Sequence, residues 1–132
     1  MKKRNKIFLK RELILHWDEY GRYEFGIYLY DLKQKLIGSL LFCCGKSQKA
    51  TVNYSQLQQN YRNRGLGKLL YIEAINQAFS YGYKKIISYG EQRNASSNVI
   101  WLTLYKEFPE SFQFKIKDHC YIDWIVIKPL VK

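Results

Sequence analysis

The sequence predicts an α+β domain, a mixed and mostly antiparallel β-sheet with helices on its faces. Three observations lead there. Four segments rich in β-branched and aromatic residues, separated by short turns, fill the chain from Lys6 to Gln58. Two later stretches place their apolar residues on one side when wound at about 100° per residue, as helices packed on a sheet do. The first of these helices lies between two predicted strands, and a strand–helix–strand crossover makes such strands parallel.

Lys6 to Trp17 alternates and reads as the first strand, closed by the turn Asp18-Glu19-Tyr20-Gly21. Arg22 to Tyr30 is the second. Asp31 to Lys35 turns the chain into the third, Leu36 to Cys44, and Gly45 to Gln48 turns it into the fourth, Ala50 to Gln58. The helix after Gly67 buries Leu70, Tyr71, Ala74, Ile75, Ala78 and Phe79 and turns Glu73, Asn76, Gln77 and Ser80 away, with Gly82 as its stop. Lys84 to Tyr89 is the fifth strand, and Gly90 to Asn94 is a loop. The second helix, Ala95 to Phe108, opposes Trp101, Leu104, Tyr105 and Phe108 to Thr103, Lys106 and Glu107, and Pro109 ends it. Phe112 to Ile116 and His119 to Lys128, turned at Asp118, form a closing strand pair. No repeat, linker or low-complexity segment divides the chain, so residues 1–132 read as one domain.

The formal net charge is +11, a field that attracts polyanions and repels cationic ligands; a merely solvated basic surface is the plain alternative. The apolar run Ile7-Phe8-Leu9 is cut short by Lys10, Arg11 and Glu12, too short for a signal peptide or a membrane span. A cytoplasmic protein is expected, with no membrane partner. The three cysteines show no metal-ligand spacing, so reduced and mostly buried thiols are expected and no metal site.

The stretch with the most chemistry runs from Gln59 to Ser80. Arg62 stands three residues before Gly65, and Gly67 two after it, between the fourth strand and the helix. Glycine lets a backbone approach a ligand closely, and the first amides of a helix lack internal acceptors and favour anions. Arg64 and Lys68 add positive charge. The arrangement suits a diphosphate.

This run, Y-R-N-R-G-L-G-K-L-L, resembles the acetyl-CoA loop of the GNAT superfamily of N-acetyltransferases, whose pattern is Arg/Gln-x-x-Gly-x-Gly/Ala between a strand and a helix. Asn98 followed seven residues later by Tyr105 matches a second family feature, and the resemblance covers roughly Leu36 to Phe108. It implies the GNAT acyl-CoA N-acyltransferase fold, with the fourth and fifth strands splayed for pantetheine. The helices the family usually carries between its first two strands have no room here beyond a short turn. The resemblance further implies acetyl-CoA as acyl donor. The backbone of Asn63, Arg64, Gly65, Leu66, Gly67 and Lys68 would surround the diphosphate, with Arg62 in the motif. The main chain near Leu57 and Gln59 would take pantetheine and the thioester carbonyl.

Acyl transfer from a thioester to an amine needs a held donor, a neutral amine, oxyanion stabilisation and a proton for the departing thiolate. By resemblance Tyr105 is the general acid, its phenol protonated at neutral pH, and Asn98 a pantetheine contact. Read from the residues alone, Tyr105 is a core tyrosine on the apolar face with Trp101 and Phe108, and Asn98 a helix-capping type beside Ser96 and Ser97. Glu91 is the candidate base, against the plain reading of a solvated loop carboxylate; His119 and Asp123 could face the slot but read as surface or turn residues. The charge points to an amine on a protein lysine, a protein N-terminus, aminoacyl-tRNA or a ribosomal component. Two other readings stay open: a basic nucleic-acid-binding module with the glycine loop seating phosphates, and a non-catalytic CoA-binding protein of the same fold. An exposed edge of the meander would let a second copy pair as a homodimer.

Overall fold

The computed structural model describes residues 7–14, 23–31, 33–44, 49–58, 65–118 and 120–131. Among these described residues are seven strands: β1 (Ile7–Ile14), β2 (Tyr23–Asp31), β3 (Leu36–Cys44), β4 (Lys49–Leu57), β5 (Lys85–Ser88), β6 (Phe112–Lys117) and β7 (Tyr121–Val126). Helix α1 (Leu66–Ser80) joins β4 to β5, and α2 (Ala95–Glu107) lies between β5 and β6. All seven strands form one open sheet in the order β1-β2-β3-β4-β5-β7-β6. The expected α+β class is the observed one. The connection between β1 and β2, read above as a short turn, lies outside the described residues.

The first four strands form an antiparallel meander. At the β2–β3 corner the Asp31 carboxylate accepts the amides of Lys33 and Lys35 at 2.9 Å each, an Asx-type turn that holds the hairpin closed. Near the middle of β4 the register with β3 shifts: Leu41 stands opposite Tyr54 and Phe42 opposite Val52, so Asn53 is an extra residue on β4. Such a bulge bends its strand and ends regular pairing on the far side. The parallel ladder between β4 and β5 accordingly holds only three residue pairs, the last being Thr51 with Ile87.

Helix α1 forms where expected, one residue earlier than Gly67 suggested. Leu70, Tyr71, Ala74, Ile75 and Ala78 are its buried residues and Phe79 is partly buried, which is the apolar face read from the spacing. It ends with Tyr81 as cap and Gly82 at φ 97°, the amides of Gly82 and Tyr83 reaching back to the carbonyls of Phe79 and Ala78. Asn76, on the opposite face, is not simply solvated. Its side chain donates to the Leu130 carbonyl (3.1 Å) and accepts the Leu130 amide (2.7 Å), which ties the end of the described chain back to α1.

The core joins Ile27 of β2, Leu40 and Phe42 of β3, Ile86 of β5 and Val126 of β7 to the buried faces of both helices. The two helices meet where Trp101 of α2 stands edge-on to Tyr71 of α1, ring centroids 5.5 Å apart. The closing strand pair is present, but the later strand lies inside: β7 pairs with β5 on one side and β6 on the other, leaving β6 at the edge. The expected loop after β5 contains a short 3₁₀ turn, Gly90–Gln92. A Cβ at Gly90 would lie 2.7 Å from Tyr121 Cβ and 2.8 Å from the Ile122 carbonyl oxygen, so β7 packs directly on this backbone.

One prediction follows from that contact. Gly90→Ala must push the start of β7 away from β5, and overpacking against backbone costs about 1–3 kcal/mol or more. Urea denaturation of the variant is expected to show a lower midpoint with an unchanged slope; an unaltered midpoint would mean that β7 shifts freely.

Candidate active site: the groove between β4 and the two helices

Where β4 continues past its last partner on β5, a groove of about 590 Å³ opens between β4, the start of α1 and the start of α2. Ser55 and Leu57 line it from β4; Gly65, Gly67, Lys68, Leu70 and Tyr71 line it from α1. Asn94, Ser97 and Ile100 contribute from the other helix.

The α1 end of the groove is built for an anion. Gly65 occupies the N-cap position at φ 76°, a left-handed backbone conformation that glycine adopts without strain. The first helical hydrogen bond runs from the Leu69 amide to the Gly65 carbonyl, so the amides of Leu66, Gly67 and Lys68 have no acceptor within the helix. Gly65 has no side chain with which to cap this end, and the first turn carries no acidic residue. Gly67 leaves space rather than supplying an unusual conformation: a Cβ there would stand 3.0 Å from the tip of Ile100 at Cδ1 and 4.0 Å from Leu57 Cδ2, in the gap between α1, α2 and β4. Lys68 borders the groove, but its ammonium is paired with the Glu107 carboxylate, so its charge also ties α1 to α2.

Deeper in the groove the Tyr71 hydroxyl and Ser55 Oγ are 2.7 Å apart. Burial is the larger influence on Tyr71 and pushes its phenol above the usual tyrosine value. The Ser55 hydrogen bond, the positive charge of Arg93 and the nearby Trp101 indole act in the opposite sense. The Trp101 N–H is buried and makes no full hydrogen bond among the described residues.

Arg93, after the 3₁₀ turn, holds the neighbouring elements in place. It donates to the Ser88 carbonyl (2.7 Å) and hydroxyl (3.0 Å) at the end of β5, to Asn98 Oδ1 on α2 (2.7 Å) and to the Ile122 carbonyl on β7. Desolvation lowers its pKa, while the Asp123 and Tyr71 side chains act to raise it. Asp123 is 5% exposed and accepts the Gly90 amide at 2.9 Å, with Lys117 at 3.4 Å. The expectation that Asp123 is a surface or turn residue is therefore corrected. It is a buried carboxylate that fixes the turn after β5, and the Gly90 amide it accepts lies 33 residues away in sequence.

Of the residues expected at the site, Leu57, Gly65, Gly67 and Lys68 border the groove and Leu66 opens α1 beside it. Gln59, Arg62, Asn63, Arg64 and His119 lie outside the described residues. Asn98 faces Arg93 and not the groove, and the cap of α2 is Asn94, whose side chain accepts the Ser97 amide at 2.8 Å. Tyr105 packs among Trp124 (5.0 Å between ring centroids), Phe112 and Phe114, and does not border the groove. Glu91 is exposed in the 3₁₀ turn. Cys120 is free and exposed, and the side chains of Cys43 and Cys44 lie outside the described residues. Ser55 and Tyr71 were missed as a pair, because Tyr71 reads as one more apolar-face residue and only the tertiary fold brings Ser55 to it. No group of three potential metal ligands occurs among the described residues, and no helix among them is long and apolar enough to cross a membrane.

An open sheet whose one parallel pair splays beside an uncapped, glycine-led helix defines the acyl-CoA N-acyltransferase class of fold. The family model of the GNAT acetyltransferases matches residues 4–108, and the chain belongs to that family. No curated protein matches it. Among solved structures it is similar to the PaiA N-acetyltransferase of Thermoplasma acidophilum, solved with coenzyme A (TM-score 0.61, 16% identity, covering 80% of this chain and 61% of that one). It is also similar to an IAA acetyltransferase from Bacillus cereus (TM-score 0.61, 14% identity, 93% and 100% covered). A third likeness is to the YhbS protein of Escherichia coli, also solved with CoA (TM-score 0.57, 17% identity, 81% and 59% covered). The chain spans less than two thirds of two of these proteins, 61% of PaiA and 59% of YhbS.

The buried phenol gives a pH prediction. Because the folded-state pKa of Tyr71 is raised, its contribution to stability is present below the unfolded value near 10 and is lost as pH rises through the folded value. Unfolding free energy measured across the alkaline range is expected to fall less steeply for Tyr71→Phe than for the parent chain. Parallel curves would mean that Tyr71 ionises alike in both states.

Proposed function

We propose that the protein is an N-acetyltransferase that moves the acetyl group of acetyl-CoA to a primary amine by direct attack in a ternary complex. The observation that carries this reading is the uncapped start of α1, with Gly65 and Gly67 clearing its approach, opening into a groove beside the splayed end of β4. The residues fit the donor. The α1 amides of Leu66, Gly67 and Lys68 would take the diphosphate, and the groove past Leu57 and Ser55 would take pantetheine. The same reading gives Gln59, Arg62, Asn63 and Arg64 parts in holding the donor. Beyond Thr51 no β5 residue stands opposite β4, which leaves the strand edge open to the amides of pantetheine in the manner of an added strand. The thioester supplies the activated acyl group; the protein binds it, orients it and keeps water from it.

The acceptor reading rests on charge. A net +11 disfavours free polyamines and favours an amine presented by a protein or a nucleic-acid-associated component, such as a lysine, an N-terminus, aminoacyl-tRNA or a ribosomal protein. Glu91 stands exposed after β5, so a part in taking the amine proton would run through water.

Acetyl-CoA that binds only the folded state raises stability by about 2.7 kcal/mol at a hundredfold excess over its Kd. A melting curve with millimolar acetyl-CoA is expected to shift upward, and Gly67→Glu, which fills the gap against Ile100 and sets a negative charge at the anion end, is expected to abolish the shift. No shift in the parent chain would sink the acyl-CoA reading.

A further inference from the structure

The groove contains a pair of hydroxyls that donor binding does not use. Ser55 Oγ and the Tyr71 hydroxyl are 2.7 Å apart and both residues border the groove, Ser55 partly accessible and Tyr71 only 2% exposed behind it. We propose that Ser55 and Tyr71 form a hydroxyl relay that delivers a proton to the departing thiolate of the acyl donor, Ser55 at the groove surface and Tyr71 behind it. This rests on the N-acyltransferase reading above.

Position supports the assignment. Residues two apart on a strand share a face, so the Ser55 hydroxyl stands on the same side of β4 as Leu57 and farther from the anion-binding end. Tyr71 follows Gly67 by four residues and therefore lies one helical turn along the same wall of α1. A donor with its diphosphate at the start of α1 runs along both. The environment also suits a proton donor. Trp101 holds the Tyr71 ring edge-on, burial keeps the phenol protonated, and the Arg93 charge favours the phenolate once the proton has left. Tyr105, by contrast, stands among Trp124, Phe112 and Phe114 outside the groove.

The step balances without a further reactant. The amine lone pair forms the C–N bond, and the C–S bond breaks with its electron pair on sulfur. Ser55 gives its proton to sulfur and takes the one from Tyr71. The phenolate regains a proton from the surplus N–H of the attacking amine through groove water. The N–H proton ends on sulfur and both hydroxyls are restored.

The test compares the parent chain with Tyr71→Phe, which keeps the ring against Trp101, and with Ser55→Ala, which keeps Tyr71. Calorimetry with acetyl-CoA comes first: no binding by the parent chain overturns the acyl-CoA reading itself, whatever the variants do. With binding established, the thiol of bound CoA is titrated by its ultraviolet thiolate band, as the difference from the complex with desulfo-CoA. Hydroxyls that donate to sulfur favour the thiolate, so the bound thiol should ionise about tenfold more readily in the parent chain than in either variant. With any amine from an acceptor panel that turns over, kcat should fall about a hundredfold in each variant while KM for acetyl-CoA stays within about threefold. Folded variants with an unchanged thiol titration overturn the relay, as does a loss of kcat carried by Tyr105→Phe and not by Tyr71→Phe. If Tyr71→Phe fails to fold, Ser55→Ala decides alone by the same titration.

Discussion

The constraint on which the site depends is the brevity of one ladder. β4 and β5 are the only parallel neighbours in the described sheet, and their pairing stops at Thr51 and Ile87. The extra residue at Asn53 explains why, since a bulge bends β4 away just beyond the last shared pair. β5 is only four residues long and turns at once into the 3₁₀ segment, so it does not follow β4 outward. The gap that results is open at the sheet and lined by helix on its other sides. A fully paired sheet would have no groove here.

Helix α1 turns that gap into a place for a particular kind of molecule. One run of residues carries three separate demands along its length. Gly65 and Gly67 keep the start bare and open, Tyr71 and the small residues Ala74 and Ala78 let the helix sit close on the sheet, and Asn76 clamps Leu130. The buried face supplies most of the stabilisation, as apolar burial does generally. The start is the opposite case: its first amides have no acceptor within the helix, which favours an anion there. The absence of an acidic residue from the first turn is consistent with a terminus left free for a ligand instead of being neutralised by the chain.

Much of this was legible in the sequence, and the part that was not has a physical reason. The meander, the two helices and their buried faces followed from alternation, turn residues and helical spacing, which are local properties. The order of the last strands was not local. Nothing in Phe112–Lys117 or Tyr121–Val126 says that the later strand lies inside, because that depends on which face of the turn at Gly90 receives Tyr121 and Ile122. The glycine end of the site could be read, since its chemistry belongs to backbone and to consecutive residues. The hydroxyl end could not. Tyr71 and Tyr105 both sit on apolar helix faces, and only the crossing of α1 with β4 gives one of them Ser55 as a partner while the other meets Trp124. Asn94 and Asn98 differ in the same way: both are capping types near the start of α2, but only one stands at the helix boundary.

Arg93 shows how the two ends are held together. It belongs to a segment that reads as a loop, yet it reaches β5, α2 and β7 at once through its guanidinium. A planar fork with several donors can satisfy carbonyls and an amide oxygen in fixed directions, which a lysine ammonium cannot. Its charge is partly desolvated, supported by Asp123 and felt by Tyr71, so the residue that bonds Asn98 on α2 also biases the phenol inside the groove. Asp123 supports the same corner from below by holding the Gly90 amide, and Gly90 in turn leaves room for β7. The position of α2, and with it the Ser97 and Ile100 wall of the groove, is therefore set by a polar joint at the end of β5 and not by apolar packing alone. Because the partners of that joint are spread over three elements, a change at any one of them reaches the groove through the other two.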